Sequence, residues 1–395
     1  MVENSNSNIA NTIRLIEPHG GALQCSEVVE QEKKSIPDNV DIVVSDTDLM
    51  DCEQLALGTY SPLKGFMDKE TVQSVLAENH LPNGDVWTMP IVLQVDSSVA
   101  ERFGVGDRIV LKRSDGFVHS FMDISEIYKL ELTEFTFKWF GTDSSQHPGV
   151  ERIFKSGEMF IAGDITLINR LPSQFQRYEL SPTQSRAYFN QQGWRKVVGF
   201  HGRNPPHGAH KYIQLDALRR TGADGLYISP VVGPKKLNDF LSDPILNGYQ
   251  MLLDDGQYPD GRVLLGSFAT YSRYSGPREA VFTALCRKNM GCSHFIIGRD
   301  HTGVGEFYEP NANMALFESL GDIDIELVFY RPVGFNKKSG GFEEEQDGVA
   351  LENISGTMIR ETLLRRERLP DWCMPKIVQD MLIDEISSGR PVFYA

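Results

Sequence analysis

The chain lacks the features that mark secreted and membrane-spanning proteins. Its five cysteines are scattered and odd in number, none with the paired spacing of a metal knuckle, so no disulfide framework is expected in a chain of 395 residues. No apolar run approaches the ~20 residues that cross a bilayer. The N-terminal stretch MVENSNSNIANTIR has no apolar core of a signal peptide. We therefore expect a cytoplasmic protein.

Runs of basic residues are also missing. The chain has 39 basic and 54 acidic residues and a formal net charge of −15. This charge disfavours binding to nucleic acid and to anionic membranes. A Gly-x-x-x-x-Gly-Lys-Ser/Thr phosphate loop is absent from the sequence as well. Any anion must therefore be bound by a few local cationic groups.

Length and texture predict more than one domain. Up to about residue 170, short apolar stretches at 87–95, 107–113 and 159–168 predict strands of a mainly β domain, and stretches at 48–58 and 70–80 predict helices. From residue 171 to 325, predicted strands alternate with helices, which indicates an α/β domain with a parallel sheet and ligands at its carboxyl ends. Residues 326–395 hold a strand, a polar Gly-rich loop at 335–348 and a helix at 354–370, and we expect them to pack on the α/β domain as a cap.

The stretch VVGFHGRNPPHGAH, residues 197–210, predicts a buried strand, a turn and the start of a helix. His207 and His210 are three residues apart and share one helix face. Arg203 offers a planar fork for a tetrahedral oxyanion, and Asn204 can donate to a phosphate oxygen. Helix N-termini favour anions, so the stretch predicts a phosphate cradle. Zinc is the rival interpretation, but no nearby acid or cysteine completes a ligand set.

Two further motifs stand where such a fold places its chemistry. Gly298–Gly305, GRDHTGVG, directly follows a predicted strand and embeds Arg299, Asp300 and His301 among glycines that let a ligand approach closely. Ser355–Arg360 predicts a capped helix N-terminus, which is also an anion site. Within YSRYSGPRE, residues 271–279, Arg273 and Arg278 are further cations, although Arg278 can equally pair with an acid in an exposed turn.

Together these motifs predict a site for a polyphosphate nucleotide and a second anion. No serine or cysteine nucleophile with a base is evident, so the sequence favours direct in-line displacement over a covalent intermediate.

At these residues the chain resembles the ATP sulfurylase (sulfate adenylyltransferase) family. That family's motifs Gln-x-Arg-Asn-Pro-x-His-x-x-His, Gly-Arg-Asp-His-Ala-Gly and Ile-Ser-Gly-Thr-x-Ile/Val-Arg match residues 201–210, 298–303 and 354–360. The stretches PHGGAL, GTYSPLKGFM and RYSGPREA also look like family segments. The resemblance covers nearly the whole chain in order.

The resemblance implies a PUA-like β-rich N-terminal domain at 1–170, a Rossmann-like nucleotidyltransferase domain at 171–325 and a small C-terminal region at 326–395. It implies adenylyl transfer from MgATP to sulfate in sulfate assimilation, with Mg²⁺ carried on the nucleotide, no zinc, and a homo-oligomeric assembly. The implied catalytic residues are Arg203, Asn204, His207 and His210. The implied nucleotide contacts are Phe200, His201, Arg203, Asn204, His207, His210, Gly298, Arg299, Asp300 and His301, and the implied oxyanion contacts are His201, Arg203 and Thr302.

The chain departs from the family pattern at two positions of the implied acceptor subsite. The family's glutamine is His201 here, and the alanine of His-Ala-Gly is Thr302. Three hypotheses follow: sulfate is still the acceptor, the acceptor is another oxyanion such as a phosphonate or phosphate ester, or the chain is a non-catalytic nucleotide-binding relative.

Overall fold

The computed structural model describes residues 14–28, 41–298, 303–309 and 311–394. Two sheets organise the described chain, one in the N-terminal half and one in the middle, and a two-stranded hairpin follows near the C-terminus.

The N-terminal sheet is mixed, in the order β1-β4-β5-β6-β2, with β3 also paired to β6. The predicted strands at 107–113 and 159–168 are confirmed, whereas the stretch 87–95 forms a strand only over its last three residues. Its strands are β1 (Asp41–Val43), β2 (Gly65–Phe66), β3 (Leu93–Val95), β4 (Arg108–Lys112), β5 (Val118–Lys129) and β6 (Met159–Leu167). Its helices are α1 (Asp46–Ala56), α2 (Lys69–Glu78), α3 (Ser97–Ala100), α4 (Leu132–Phe140) and α5 (Pro148–Lys155).

The middle sheet is parallel throughout, in the order β11-β10-β7-β8-β9. The chain runs from β7 outward to β9 on one side and continues through β10 to β11 on the other. The switch point therefore lies between β7 and β10, where such sheets bind ligands. Its strands are β7 (Val197–Phe200), β8 (Gly225–Ile228), β9 (Val263–Leu265), β10 (His294–Ile297) and β11 (Glu326–Phe329). Its helices are α6 (Pro182–Gln191), α7 (Gly208–Arg220), α8 (Ser242–Asp254), α9 (Pro277–Asn289) and α10 (Ala312–Leu320).

The C-terminal region packs on the α/β sheet, as expected. The prediction of a loop at 335–348 is wrong, because this stretch contains a hairpin of β12 (Val333–Asn336) and β13 (Gly341–Glu344). The predicted helix is α11 (Gly356–Leu364), and a further helix, α12 (Lys376–Ser387), was not predicted. Apolar side chains of α11 and α12 share one buried cluster with those of β7, β8 and α8.

Arg273 and Arg278 join the α/β domain to the N-terminal half. Arg273 is buried and paired with Asp51 of α1. Arg278 donates to the carbonyl oxygens of Val75, Leu76 and Thr88 and to the Asn79 side chain. The prediction of Arg278 in an exposed turn is therefore wrong, and the hydrogen bonds of both arginines are spent within the protein.

Candidate active site

A cavity of about 460 Å³ opens at the carboxyl ends of β7 and β10, at the switch point of the sheet. It brings together the strand-to-helix turn after β7, the end of β10 and the N-terminus of α11. The lining residues are Phe200, His201, Gly202, Arg203, Asn204, His210, Ile213, Lys236, Asp239, Ser272, Glu279, Ile296, Gly298, Gly356, Thr357 and Arg360.

The start of α7 is held by the C-terminal region. The Gly208 amide donates to the Cys373 carbonyl at 2.8 Å. A Cβ at Gly208 would lie 2.2 Å from the Trp372 carbonyl oxygen and 2.4 Å from the Phe342 ring, so only glycine allows this close approach. The His210 amide is also used, because it donates to Nδ1 of His207 at 3.4 Å. With these two amides occupied, an anion at this helix end would contact mainly side chains.

His207 and His210 stack on each other, with ring centroids 3.7 Å apart. Burial lowers the pKa of His210 to about 4. Burial, and the neighbouring His210 next, lowers the pKa of His207 well below its ordinary value. Both rings are therefore neutral at pH 7. His210 lines the cavity, whereas His207 is not among the lining residues and supports His210 from the side.

The uncharged state fixes how the two rings can interact with a ligand. Nδ1 of His207 accepts a hydrogen bond, so its proton lies on Nε2 in the neutral ring. Nδ1 of His210 is buried and has no hydrogen-bond partner within the described part of the chain. The edge of the His210 ring also packs against Phe200, with centroids 5.3 Å apart.

Arg203 is clamped over the cavity from two sides. Its Nη2 donates to the Gly303 carbonyl at 3.0 Å, and its guanidinium lies 5.5 Å from the centre of the Tyr274 ring. Tyr274 has a positive φ of 59°, which turns the chain just before α9. Since one Nη atom suffices for the bond to Gly303, the fork retains donors for an oxyanion.

Glu279 holds the turn that carries Tyr274. Its carboxylate accepts the amides of Arg273 and Ser275, both at 3.0 Å. Burial raises the pKa of Glu279 despite these two hydrogen bonds. Tyr308 supports the same turn, because its hydroxyl donates to the Tyr274 carbonyl at 2.8 Å. The cation–π platform under Arg203 is thus braced from two elements.

His201 lines the cavity and is tied to a buried arginine of α9. Nη2 of Arg287 lies 3.0 Å from Nδ1 of His201, and the same Nη2 donates to the Ser229 carbonyl at 2.7 Å. Arginine has no acceptor, so Nδ1 of His201 must be the acceptor and carry no proton.

The N-terminus of α11 forms the opposite wall. Ser355 caps it by accepting the Met358 amide at 3.0 Å, which confirms the predicted cap. Arg360 lines the cavity one turn into the helix and donates to the Thr357 hydroxyl at 3.3 Å. A guanidinium and a helix N-terminus together favour an anion on this side.

Comparison with known proteins agrees with this architecture. The family model described as ATP-sulfurylase matches residues 176–385, and the model of a PUA-like domain matches residues 16–170. This chain belongs to the ATP-sulfurylase family. The expected fold, a Rossmann-like nucleotidyltransferase domain after a PUA-like domain, is confirmed.

Relatives of this ATP-sulfurylase family member match over nearly their full length. A sulfate adenylyltransferase of Pyrococcus abyssi is 37% identical over 93% of this chain and 97% of that protein. One of Synechococcus sp. is 37% identical over 95% of this chain and 98% of that protein. The hexameric APS kinase from Thiobacillus denitrificans is similar in structure, with a TM-score of 0.75 and 20% identity over 94% of this chain and 68% of that one. At this identity the likeness concerns the fold.

The structure unites most of the residues that the sequence singled out in this ATP-sulfurylase chain. Of the predicted set, Phe200, His201, Arg203, Asn204, His210, Gly298 and Arg360 line the cavity. Arg299, Asp300, His301 and Thr302 lie outside the described residues.

Sequence reasoning missed Lys236, Asp239 and Glu279, which also line the cavity. Lys236 could have been found, because the Pro-Lys-Lys run at 234–236 follows the end of β8, where a parallel sheet places its chemistry. Asp239 and Glu279 are buried, and no pattern in the sequence distinguishes them from exposed acids.

Two searches of the described chain gave negative results. No helix there combines the length and apolar character needed to cross a membrane. Within the same residues, no group of three or more His, Cys, Asp and Glu side chains is placed to hold a metal ion.

Proposed function

We propose that this chain transfers AMP from MgATP to sulfate, giving adenylylsulfate and pyrophosphate, or runs the reverse reaction. The observation that carries the proposal is Arg203, held over the cavity by Gly303 and Tyr274 beside the neutral pair His207 and His210. The sulfate adenylyltransferases of Pyrococcus abyssi and Synechococcus sp., which match nearly the whole chain, supply the substrate class.

In this proposal a sulfate oxygen attacks the α-phosphorus of ATP. A bond forms between that oxygen and phosphorus, the bond from phosphorus to the bridging oxygen breaks, and pyrophosphate leaves with the electron pair. Arg203 orients the attacking oxyanion through its free guanidinium donors. Asn204 and His210 donate to the ATP phosphates as uncharged groups, and His207 holds His210 in place.

Further residues complete the proposed site. The N-terminus of α11 with Arg360 provides positive potential at the opposite wall. Gly298, with Arg299, Asp300 and His301, contacts the nucleotide, and Thr302 stands with His201 and Arg203 at the acceptor. Mg²⁺ enters with ATP as part of the substrate and neutralises phosphate charge; this ion commonly keeps its waters and does without a protein cage.

A second candidate is nucleotidyl transfer to another oxyanion, such as a phosphonate. His201 motivates it, because an imidazole differs from glutamine in shape and reach. Sulfate, phosphate and organic phosphonates should be compared side by side as acceptors, on the wild type and on His201→Gln combined with Thr302→Ala. We expect sulfate to support the fastest pyrophosphate release from the wild type. A phosphonate that outperforms sulfate would replace the first proposal with the second.

A non-catalytic nucleotide-binding role is the third hypothesis. Substitution His210→Ala removes the imidazole that lines the cavity, and we expect it to abolish most turnover while MgATP still binds. An inactive wild type that binds MgATP as tightly as the variant would favour the non-catalytic role.

We further propose that the chain works in the cytoplasm as a homo-oligomer, with domains at 1–170, 171–325 and 326–395. Phe137 on α4 and Phe154 on α5 are 60% and 45% exposed, which is unusual for such large apolar side chains and suits an interface between copies. Light scattering on the purified chain would give the mass; a monomer at micromolar concentration would contradict the assembly.

A further inference from the structure

Arg287 is a buried cation for which the fold provides no carboxylate. Its side chain is 1% exposed and lies in the last turn of α9, beneath the carboxyl ends of β7, β8 and β9. The groups that act on its charge are the phenols of Tyr227 and Tyr60 and the thiols of Cys286 and Cys292. Within the described residues, no acid lies within ion-pair distance. Burial accordingly lowers the pKa of Arg287.

Another buried arginine shows how the fold usually treats such a charge. Arg273 is equally buried, but it is paired with Asp51. An uncompensated buried charge is costly, so a fold retains one where a ligand supplies the opposite charge or a specific geometry requires it. The path from Arg287 to the cavity is short, since its Nη2 contacts His201, which lines the wall.

The contacts of Arg287 also fix its orientation. The two hydrogens of Nη2 meet two acceptors, Nδ1 of His201 at 3.0 Å and the Ser229 carbonyl at 2.7 Å. The guanidinium carbon lies 4.4 Å from the centre of the Phe268 ring, a cation–π contact. The Phe268 ring also meets His201 edge-on, with centroids 6.3 Å apart. Arg287 and Phe268 together position the imidazole.

We propose that Arg287 is a positioning residue that locks His201 into the uncharged tautomer with its proton on Nε2, so that His201 offers the acceptor oxyanion a neutral N–H donor. The proposal rests on the proposed function, which places the oxyanion beside His201 and Arg203. A second proton on Nδ1 would break the bond to Arg287 and set two cations 3.0 Å apart.

The same geometry explains why histidine can stand where the resemblance expects glutamine. A glutamine side chain would accept from Arg287 with its carbonyl oxygen and donate with its amide nitrogen. Locked by Arg287, His201 has the same sequence of acceptor and donor and the same lack of charge. The buried charge of Arg287 strengthens the donor, because it polarises the imidazole toward the oxyanion.

The tautomer can be measured without any turnover. Nitrogen-15 spectra of protein labelled at its nine histidines, with His201 assigned by its absence in His201→Gln, distinguish a protonated from an unprotonated ring nitrogen. We expect the wild type to show Nδ1 unprotonated and Nε2 protonated at pH 7, and Arg287→Met to show a mixture. A wild type protonated on Nδ1 would overturn the proposal.

Kinetics give the second test. Removing a hydrogen bond to a charged group costs about 1.5–3 kcal/mol, so Arg287→Met should raise the KM for sulfate by roughly 10- to 100-fold, with a much smaller change in the KM for MgATP. Arg186→Met is the matched control, because Arg186 is partly buried and donates to the carbonyls of Asn289, Ile16 and Lys288, and it is not among the cavity residues. In a His201→Ala background the effect of Arg287→Met should largely vanish.

Two outcomes contradict the proposal here: equal changes in both KM values, or full additivity of the two substitutions. If Arg287→Met does not fold, the wild-type spectrum still decides the tautomer. If the wild type shows no sulfate-dependent turnover, the proposed function fails, while the spectrum still tests the bond between Arg287 and His201.

Discussion

Arg273 and Asp51 form an ion pair that is almost excluded from solvent and joins the α/β domain to helix α1 of the N-terminal half. Their side chains are 1% and 4% exposed. Tyr60 and Tyr271 donate hydrogen bonds to the same Asp51 carboxylate, which satisfies its remaining oxygen positions. The turn that carries Tyr274 begins at this pair, so the fold of the N-terminal half bears directly on the cavity.

Breaking this pair from one side should be expensive. Substitution Arg273→Met leaves the Asp51 carboxylate buried without its cation, and we expect the free energy of unfolding to fall by about 3–5 kcal/mol. Urea denaturation measures it. The control is Arg108→Met, which breaks an ion pair with Asp123 whose side chains are 57% and 47% exposed; it should cost about 0–1 kcal/mol. Equal costs would show that burial of the Arg273 pair does not matter.

Gly276 tests the brace behind Arg203. Its φ is 52°, and a Cβ there would lie 2.7 Å from the Tyr308 ring. Substitution Gly276→Ala should therefore combine backbone strain with overpacking, costing roughly 2–4 kcal/mol, and should lower kcat/KM because Tyr274 moves. Thermal unfolding and initial rates measure the two effects.

The control for Gly276 is Gly84→Ala. Gly84 has a φ of 92° and nothing within 4 Å of the added Cβ, so only the backbone strain remains. We expect a loss of about 1 kcal/mol and unchanged kcat/KM. An activity loss equal to that of Gly276→Ala would remove the Tyr308 contact from the explanation.

The strands and helices of the α/β domain were largely predictable from the sequence. The apolar run at 197–200 forms β7, and the helix predicted at 242–254 forms α8, because these segments are buried and their local pattern agrees with the tertiary structure. The hairpin at 333–344 was missed. Its strands are half-exposed, and its Phe342 ring packs against Tyr212 of α7, a contact that no local pattern reveals.

The candidate site was predictable where its residues are adjacent in sequence. His207 and His210 stack as their spacing in a helix suggests. Arg287 was not predictable, since an Arg-Lys pair near a helix end ordinarily indicates a solvated terminus. Its role arises from Ser229 and Phe268, which come from other strand ends. Arg273 and Arg278 were wrongly weighed as ligand-binding cations because burial cannot be read from charge alone.

The histidine pair predicts how stability changes with pH. The pKa of His210 is lowered from its ordinary 6.5 to about 4 in the folded chain. The unfolded chain therefore takes up this proton first as the pH falls, and the free energy of unfolding should decline between pH 6.5 and about 4. Above pH 6.5 the contribution is fully present. Urea denaturation at several pH values measures the slope.

The matched variant is His210→Asn, which cannot titrate in this range. Its slope of unfolding free energy against pH should be shallower than that of the wild type by up to one proton. An unchanged slope would mean that the imidazole of His210 is protonated equally in the folded and unfolded chains.

The central claim is that the cavity around Arg203 transfers AMP to sulfate. The most direct measurement is the release of pyrophosphate and adenylylsulfate from MgATP, with and without sulfate, by the wild type and by Arg203→Lys. We expect one adenylylsulfate for each pyrophosphate, no release without sulfate, and a loss of roughly 100-fold or more in Arg203→Lys, because lysine lacks the planar fork. Pyrophosphate release that ignores sulfate, or an Arg203→Lys variant as active as the wild type, would contradict the account.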